Sequence, residues 1–225
     1  MHVKAFQKIM TDTIYLALTG VLILIMTFMV FEPMTTRAIT NTFVVTQLMT
    51  AEISFLATST GVTTSGSITG ITGGNATGST LVVVQTNQSS GYTIDISFSN
   101  SPAMRGNVTG STAIGDYGTT SEPTFGFFAS TSAVFAYNIA NTPSNALDPS
   151  FKNNGSSCNA GGVYTANTCW MGPSTTPFRI VSSTIAATAG ATTTLQFRVN
   201  VPNNPNPGVQ SDTYTATATL TAVTQ

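Results

Sequence analysis

A chain of 225 residues that carries only 7 Lys or Arg, 8 Asp or Glu and 1 His has a formal net charge of −1 at pH 7. That excludes nucleic acid as a partner, because neutralising a phosphate backbone needs a basic patch that so few cations cannot make. The single histidine is His2, so the remainder has no imidazole for a hydrolytic triad, a metal site or ordinary acid–base work, and no enzyme is expected.

The first element is apolar. Between Asp12 and Glu32 run nineteen uncharged residues, 13–31, including Val21-Leu22-Ile23-Leu24-Ile25-Met26. As a helix they extend about 28 Å, close to the thickness of a bilayer's hydrocarbon core. His2, Lys4 and Lys8 precede them and Arg37 follows, a bias that keeps the N-terminus cytoplasmic and sends the rest outward. Residues 1–38 therefore read as a signal peptide or a signal anchor. The protein is expected to be exported, at the cell surface or extracellular, and to meet the membrane through this helix at least before processing. The apolar run exceeds the usual signal-peptide core of about 7–15 residues, yet Thr36-Arg37-Ala38 supplies a small-x-small cleavage site just after Pro33. Cleaved and anchored forms both fit. A type IV pilin leader does not, since a cut at Ala5 would put Met10 where that leader needs Glu.

Residues 39–225 read as one extracellular domain, with Glu52, Asp95, Asp116, Glu122, Asp148 and Asp212 against Arg105, Lys152, Arg179 and Arg198, a net charge of −2. Its dominant period is two. Strands are expected over 42–47, 50–57, 67–71 and 79–86, and then in Tyr92-Thr93-Ile94-Asp95-Ile96-Ser97-Phe98-Ser99, where apolar and polar residues alternate. Further strands fall over 124–129, 134–139 and 178–183. Leu195, Phe197, Val199 and Val201 alternate with Gln196, Arg198 and Asn200. In the last strand Tyr214, Ala216, Ala218, Leu220 and Ala222 oppose a row of threonines. Turn clusters such as Gly73-Gly74-Asn75 separate the strands, and no amphipathic helix lies between them. The expected fold is all-β, an antiparallel β-sandwich of Ig-like or jelly-roll-like kind preceded by one N-terminal apolar helix.

Residues 99–177 are richer in loops and read as an excursion at one end of the domain, the part best placed to recognise something. The chain's 2 cysteines, Cys158 and Cys169, lie there; in an exported protein they read as a disulfide pinning a surface loop. Phe125, Phe127, Phe128, Phe135, Tyr137 and Trp170 are either core or an aromatic platform for a glycan, with Trp170, Tyr137 and Phe128 the candidate binding residues. No cofactor is expected. Calcium is the one metal worth weighing, because it needs only oxygen ligands; Asp148 beside Asn145, and Asp116 near Glu122, lack the spacing of a calcium loop.

Two stretches carry a family likeness. Ser211-Asp212-Thr213-Tyr214-Thr215-Ala216-Thr217-Ala218-Thr219-Leu220-Thr221-Ala222 resembles the closing strand of secreted bacterial β-sandwiches of the spore-coat-U, pilin-like and WxL-like kinds. Thr86-Asn87-Gln88-Ser89-Ser90-Gly91-Tyr92-Thr93-Ile94-Asp95-Ile96 resembles their central hairpin, and the stretch from Phe151 to Trp170 resembles a loop of uncharacterised exported proteins of small-genome bacteria. The resemblance implies a cell-surface structural component without catalytic residues. Trp170 is followed by Met171 and Gly172, so the Trp-x-Leu signature of true WxL domains is missing.

The expected function is a non-enzymatic structural protein, a subunit of a filament, surface layer or matrix that self-associates or meets other surface proteins. Residues 39–47 either pair within their own sheet or add, through Phe43, Val44 and Val45, to the edge of a neighbouring subunit. The alternative is an adhesin or carbohydrate-binding module that uses residues 99–177. A carboxylate pair such as Asp116 and Glu122 would be needed for a glycosidase.

Overall fold

The computed structural model describes residues 2–30, 40–108, 110–118, 121–128, 130–143 and 146–225. It divides into two compact units, Met1–Leu48 and Met49–Gln225. In the first, α1 (His2–Val30) is a single helix of 29 residues. Its stretch Phe6–Val30 has a mean hydropathy of 2.3 and is long and apolar enough to cross a membrane. Threonine hydroxyls in it are satisfied within the helix: Thr11, Thr13 and Thr27 donate to carbonyls four residues back, at 2.7, 2.7 and 3.0 Å. That is the arrangement hydrocarbon demands of a hydroxyl-bearing helix. The Thr36-Arg37-Ala38 cleavage motif lies outside the described residues.

The second unit consists of strands. They are β1 (Ile53–Ala57), β2 (Gly74–Thr86), β3 (Tyr92–Phe98), β4 (Met104–Gly106), β5 (Ala113–Asp116), β6 (Thr124–Phe125), β7 (Val134–Asn141), β8 (Cys169–Trp170), β9 (Phe178–Ser183), β10 (Ala187–Val201), β11 (Tyr214–Thr215) and β12 (Ala218–Thr224). A seven-stranded sheet runs β1-β2-β10-β7-β5-β4-β11, a three-stranded sheet runs β12-β3-β9, and β6 pairs with β8. All pairings between named strands are antiparallel except β5 with β7, where Gly115 and Asp116 lie parallel to Val134 and Phe135. The main sheet is therefore mixed, not purely antiparallel as expected. A parallel pair needs a crossover, and residues 117–133 are that crossover.

One core cluster draws side chains from both larger sheets. Val82 and Val84 of β2, Phe135, Tyr137 and Ile139 of β7, and Leu195, Val199 and Val201 of β10 meet Tyr92, Ile94, Ile96 and Phe98 of β3 and Ile180 and Val181 of β9. Period-two alternation puts these side chains on one face of β2, β3, β7 and β10, whereas in β9 the consecutive Ile180 and Val181 are both buried at a register shift against β3. Each fully buried side chain contributes about 1.5–3 kcal/mol. Aromatic contacts run through this core, with Phe98 edge-on to Phe135 at 6.1 Å and Phe151 edge-on to Phe178 at 6.0 Å. Outside it, Asp95 and Arg179 are register partners and bond at 3.1 Å.

Several expected elements change. Residues 42–47 form no strand: Phe43, Val44 and Val45 are consecutive apolar residues, so a strand there would bury only one face and leave the other greasy. Residues 67–71 contribute only a bridge from Thr69 to Gly73, where the Thr69 hydroxyl bonds the Gly73 carbonyl and competes with ladder formation. Of residues 124–129 only Thr124 and Phe125 are in a strand, and Ala129 lies outside the described residues. The last strand is broken: β11 pairs with β4 in the main sheet and β12 with β3 in the small one, so the chain changes sheets at Ala216 and Thr217. The 99–177 region is not merely an excursion, because β7 is a central strand, flanked by β10 and β5.

Candidate functional site

The disulfide joins Cys158 to Cys169, whose Cα atoms are 5.8 Å apart. Cys169 and Trp170 form β8, and the crossover strand β6 pairs with it. Cys169 and Cys158 pack against the main core, whereas Trp170 joins Tyr117, Phe127, Val134 and Ala136 in a second cluster on the other face of β7, so the bond anchors a flap whose rings cover that face. The flap is lined with rings. Tyr117 stacks on Phe127 at 4.5 Å, Phe127 meets Trp170 edge-on at 5.4 Å, and the Arg198 guanidinium carbon lies 4.1 Å from the Phe127 centroid. The Trp170 indole donates to the Asn167 carbonyl at 3.0 Å.

These contacts decide the fate of the proposed platform. Trp170 is 2% exposed within the flap cluster and Tyr137 is 1% exposed within the main core, on the opposite face of the sheet. Burial pushes the Tyr137 phenol far above its ordinary range. Phe128, at 60%, is the exposed member. The three rings therefore do not converge on a shared surface, and the described part of residues 99–177 presents no Trp170-centred platform.

Asp116, Asp148 and Asp212 each accept from backbone amides. Asp116 accepts from the Ala103 amide at 2.9 Å and the Ser101 hydroxyl at 3.3 Å. Its pKa is nonetheless raised, because burial outweighs those bonds and the attraction of Arg105. Asp148 caps the short 3-10 turn Pro149–Phe151 by accepting from the Ser150 amide at 3.0 Å. Asp212 accepts from the Thr213 amide at 2.7 Å, and Glu122 lies on an exposed bend. Among the described residues, no three His, Cys, Asp or Glu side chains gather as a metal site would require. Asn145, the suggested companion of Asp148, lies outside the described residues.

Two surfaces remain. The first is backbone without a strand partner, found separately as a run of chain that begins in the first unit and as a strand edge in the second. Residues 40–50 have neither helix nor strand, and Phe43, Val44 and Val45 are 82, 90 and 81% exposed. In the three-stranded sheet the outer edge of β9 is covered by residues 146–148, through Ser182 N to Ala146 O at 2.7 Å and Asp148 N to Ile180 O at 3.2 Å. β12 pairs with β3 alone among the described strands. Its sequence, Ala218-Thr219-Leu220-Thr221-Ala222-Val223-Thr224, holds neither charge nor proline, the usual guards of an open edge.

The second surface is a cavity of about 500 Å³ where the ends of β3, β7, β9 and β10 meet. Tyr92, Thr142 and Ser183 line it, with Ile185 and the small residues of the segment 186–191. Tyr92 is 1% exposed and its buried hydroxyl has no hydrogen-bond partner. Beside the cavity Thr142 and Thr193 share a buried hydroxyl–hydroxyl bond of 3.2 Å. The opening exists because β10 bulges away from β2 between Ala187 and Ala191, with Gly190 at φ 89°, a conformation that favours glycine. Sequence reading missed this site. Its one signal was Thr193, a polar residue at the inward parity of the Leu195, Phe197, Val199 series.

No protein-family model matches this chain, and no curated protein matches it.

Proposed function

We propose that the chain is an exported β-sandwich protein with a structural, non-enzymatic role, a subunit of a filament, surface layer or matrix at the cell surface. In this reading the apolar helix holds the chain at the membrane at least until processing. The observation that carries the proposal is the exposed, unpaired run of Phe43, Val44, Val45, Leu48 and Met49 between helix and domain. Isolated apolar residues on a surface need no explanation, but a contiguous run is a contact site waiting for a partner. Uncharged, without a strand partner and holding two adjacent valines, it suits strand addition to a second copy, and β12, which pairs with β3 alone among the described strands, offers an edge without charge or proline.

The test is assembly of the full chain, expressed in an exporting host and extracted in detergent. Wild-type protein should form filaments or sheets under the electron microscope, with residues 42–48 protected from proteolysis. Phe43→Lys combined with Val45→Lys should leave monomers that melt at the wild-type temperature, since both positions are exposed and surface changes alter stability by only about 0.5 kcal/mol. A wild-type chain that stays monomeric overturns the proposal. Mass spectrometry of the native N-terminus separates the anchored subunit from the released one.

A further inference from the structure

We propose that the cavity beside Tyr92 is a binding site for a small uncharged polyhydroxyl molecule, a sugar unit in chemical terms. This is independent of the structural role, and although Asn141, Thr142, Pro143 and Ala146 belong to the 99–177 region, none of that region's aromatic residues lines the cavity. The volume of about 500 Å³ is that of a small-molecule site.

The lining sets the ligand's charge. None of the lining residues is Asp, Glu, Lys, Arg or His. A carboxylate or ammonium entering it would give up water without gaining a counter-charge, which is prohibitive. Tyr92 is the one titratable group, and burial raises its pKa, so it stays neutral at physiological pH.

The same lining sets the hydrogen-bonding pattern. Tyr92 brings a hydroxyl that can both donate and accept and is shut off from bulk water with no partner. Such orphaned groups are rare in native proteins and mark a place where a partner is missing. Asn141, Thr188 and Thr192 add further groups that donate and accept. Ligand hydroxyls also do both, whereas a carboxylate only accepts and an ammonium only donates. Pro143, Ile185 and the alanines of the 186–191 segment supply carbon surface for the C–H face of a ring. Ser183 is not available, because its hydroxyl is bonded to the Ile185 carbonyl at 3.0 Å.

The experiment uses the full chain in a sugar-free zwitterionic detergent and ligand-observed saturation-transfer NMR. Probes are methyl glucoside, methyl N-acetylglucosaminide and myo-inositol, with glucuronate and glucosamine as charged counterparts and a neutral oligosaccharide as a longer arm. At least one neutral probe should bind, with its charged counterpart at least about tenfold weaker. Tighter binding of the oligosaccharide would make the natural source a polysaccharide chain, and equal binding a free monosaccharide. Tyr92→Phe should weaken binding at least about fivefold while the protein still melts cooperatively. Ala189→Phe, at an exposed position on the rim, should abolish it by filling the mouth. Absence of transfer from all three neutral probes, equal binding of the charged ones, or binding unchanged in both variants would overturn the proposal.

Discussion

The guanidinium carbon of Arg198, on the central strand β10, stands 4.1 Å from the centroid of the Phe127 ring, which belongs to the crossover between β5 and β7. The pair ties the disulfide-held flap to the sheet beneath it. Arg198 Nε is buried without a hydrogen-bond partner, so the ring face is the main compensation seen for that end of the side chain. A double-mutant cycle of Arg198→Met and Phe127→Leu should give a coupling energy of about 1 kcal/mol in chemical denaturation. A coupling indistinguishable from zero would mean the two merely lie together.

The disulfide should matter more than the cation–π contact. Closing the short loop between Cys158 and Cys169 is worth about 3 kcal/mol on the chain-entropy model. Replacing both cysteines by alanine, or reducing the wild type, should lower the melting temperature by on the order of 10 °C. The larger sheets should survive, because their ladders are built from strands other than β6 and β8, even though Cys158 and Cys169 pack against the main core. Far-ultraviolet circular dichroism that collapses at room temperature on reduction would contradict this.

What the sequence makes legible is one-sided burial. β3 stands where alternation places it, since Ile94, Ile96 and Phe98 cover the core while Asp95 and Ser97 between them stay partly exposed, and β9 keeps its place although a register shift buries the consecutive Ile180 and Val181. β7 is different. Val134, Phe135, Ala136, Tyr137, Asn138 and Ile139 are all buried, because the core covers one face and the flap the other. A strand covered twice shows no period, and its central place could not be read. The sheet change at Ala216 and Thr217 was equally hidden, because Ala216 keeps the inward parity of the strand on both sides of the break. Half of β10 was invisible for a third reason: residues 187–194 are small or hydroxylated on both parities, and that same run walls the cavity.

Asp116 gives a pH prediction whose sign is set by its raised pKa. A carboxyl that holds its proton more tightly when folded contributes stability that is fully present below the unfolded pKa and is lost as pH rises through the folded one. Asp116→Asn keeps an acceptor for the Ala103 amide and the Ser101 hydroxyl without carrying a charge. The variant should have a higher urea midpoint than wild type at pH 7, and the difference should shrink towards pH 3. A difference that grows on acidification would show that Arg105, and not burial, governs this carboxyl.

Tyr92 and Thr193 are both buried polar residues at the cavity end of the core, yet deleting their hydroxyls should shift stability in opposite directions. The Tyr92 hydroxyl has no partner, so Tyr92→Phe removes a desolvated group that gains nothing from folding. The ligand-free protein should gain about 1 kcal/mol, raising its melting temperature by about 2–4 °C. The Thr193 hydroxyl is paired with that of Thr142 at 3.2 Å. Thr193→Val keeps the shape but strands Thr142, and should cost about 1–2 kcal/mol. Thermal denaturation of both variants without added sugar decides the matter. If Tyr92→Phe instead lowers the melting temperature, the hydroxyl is satisfied in the free protein by ordered water, which a ligand would then have to displace.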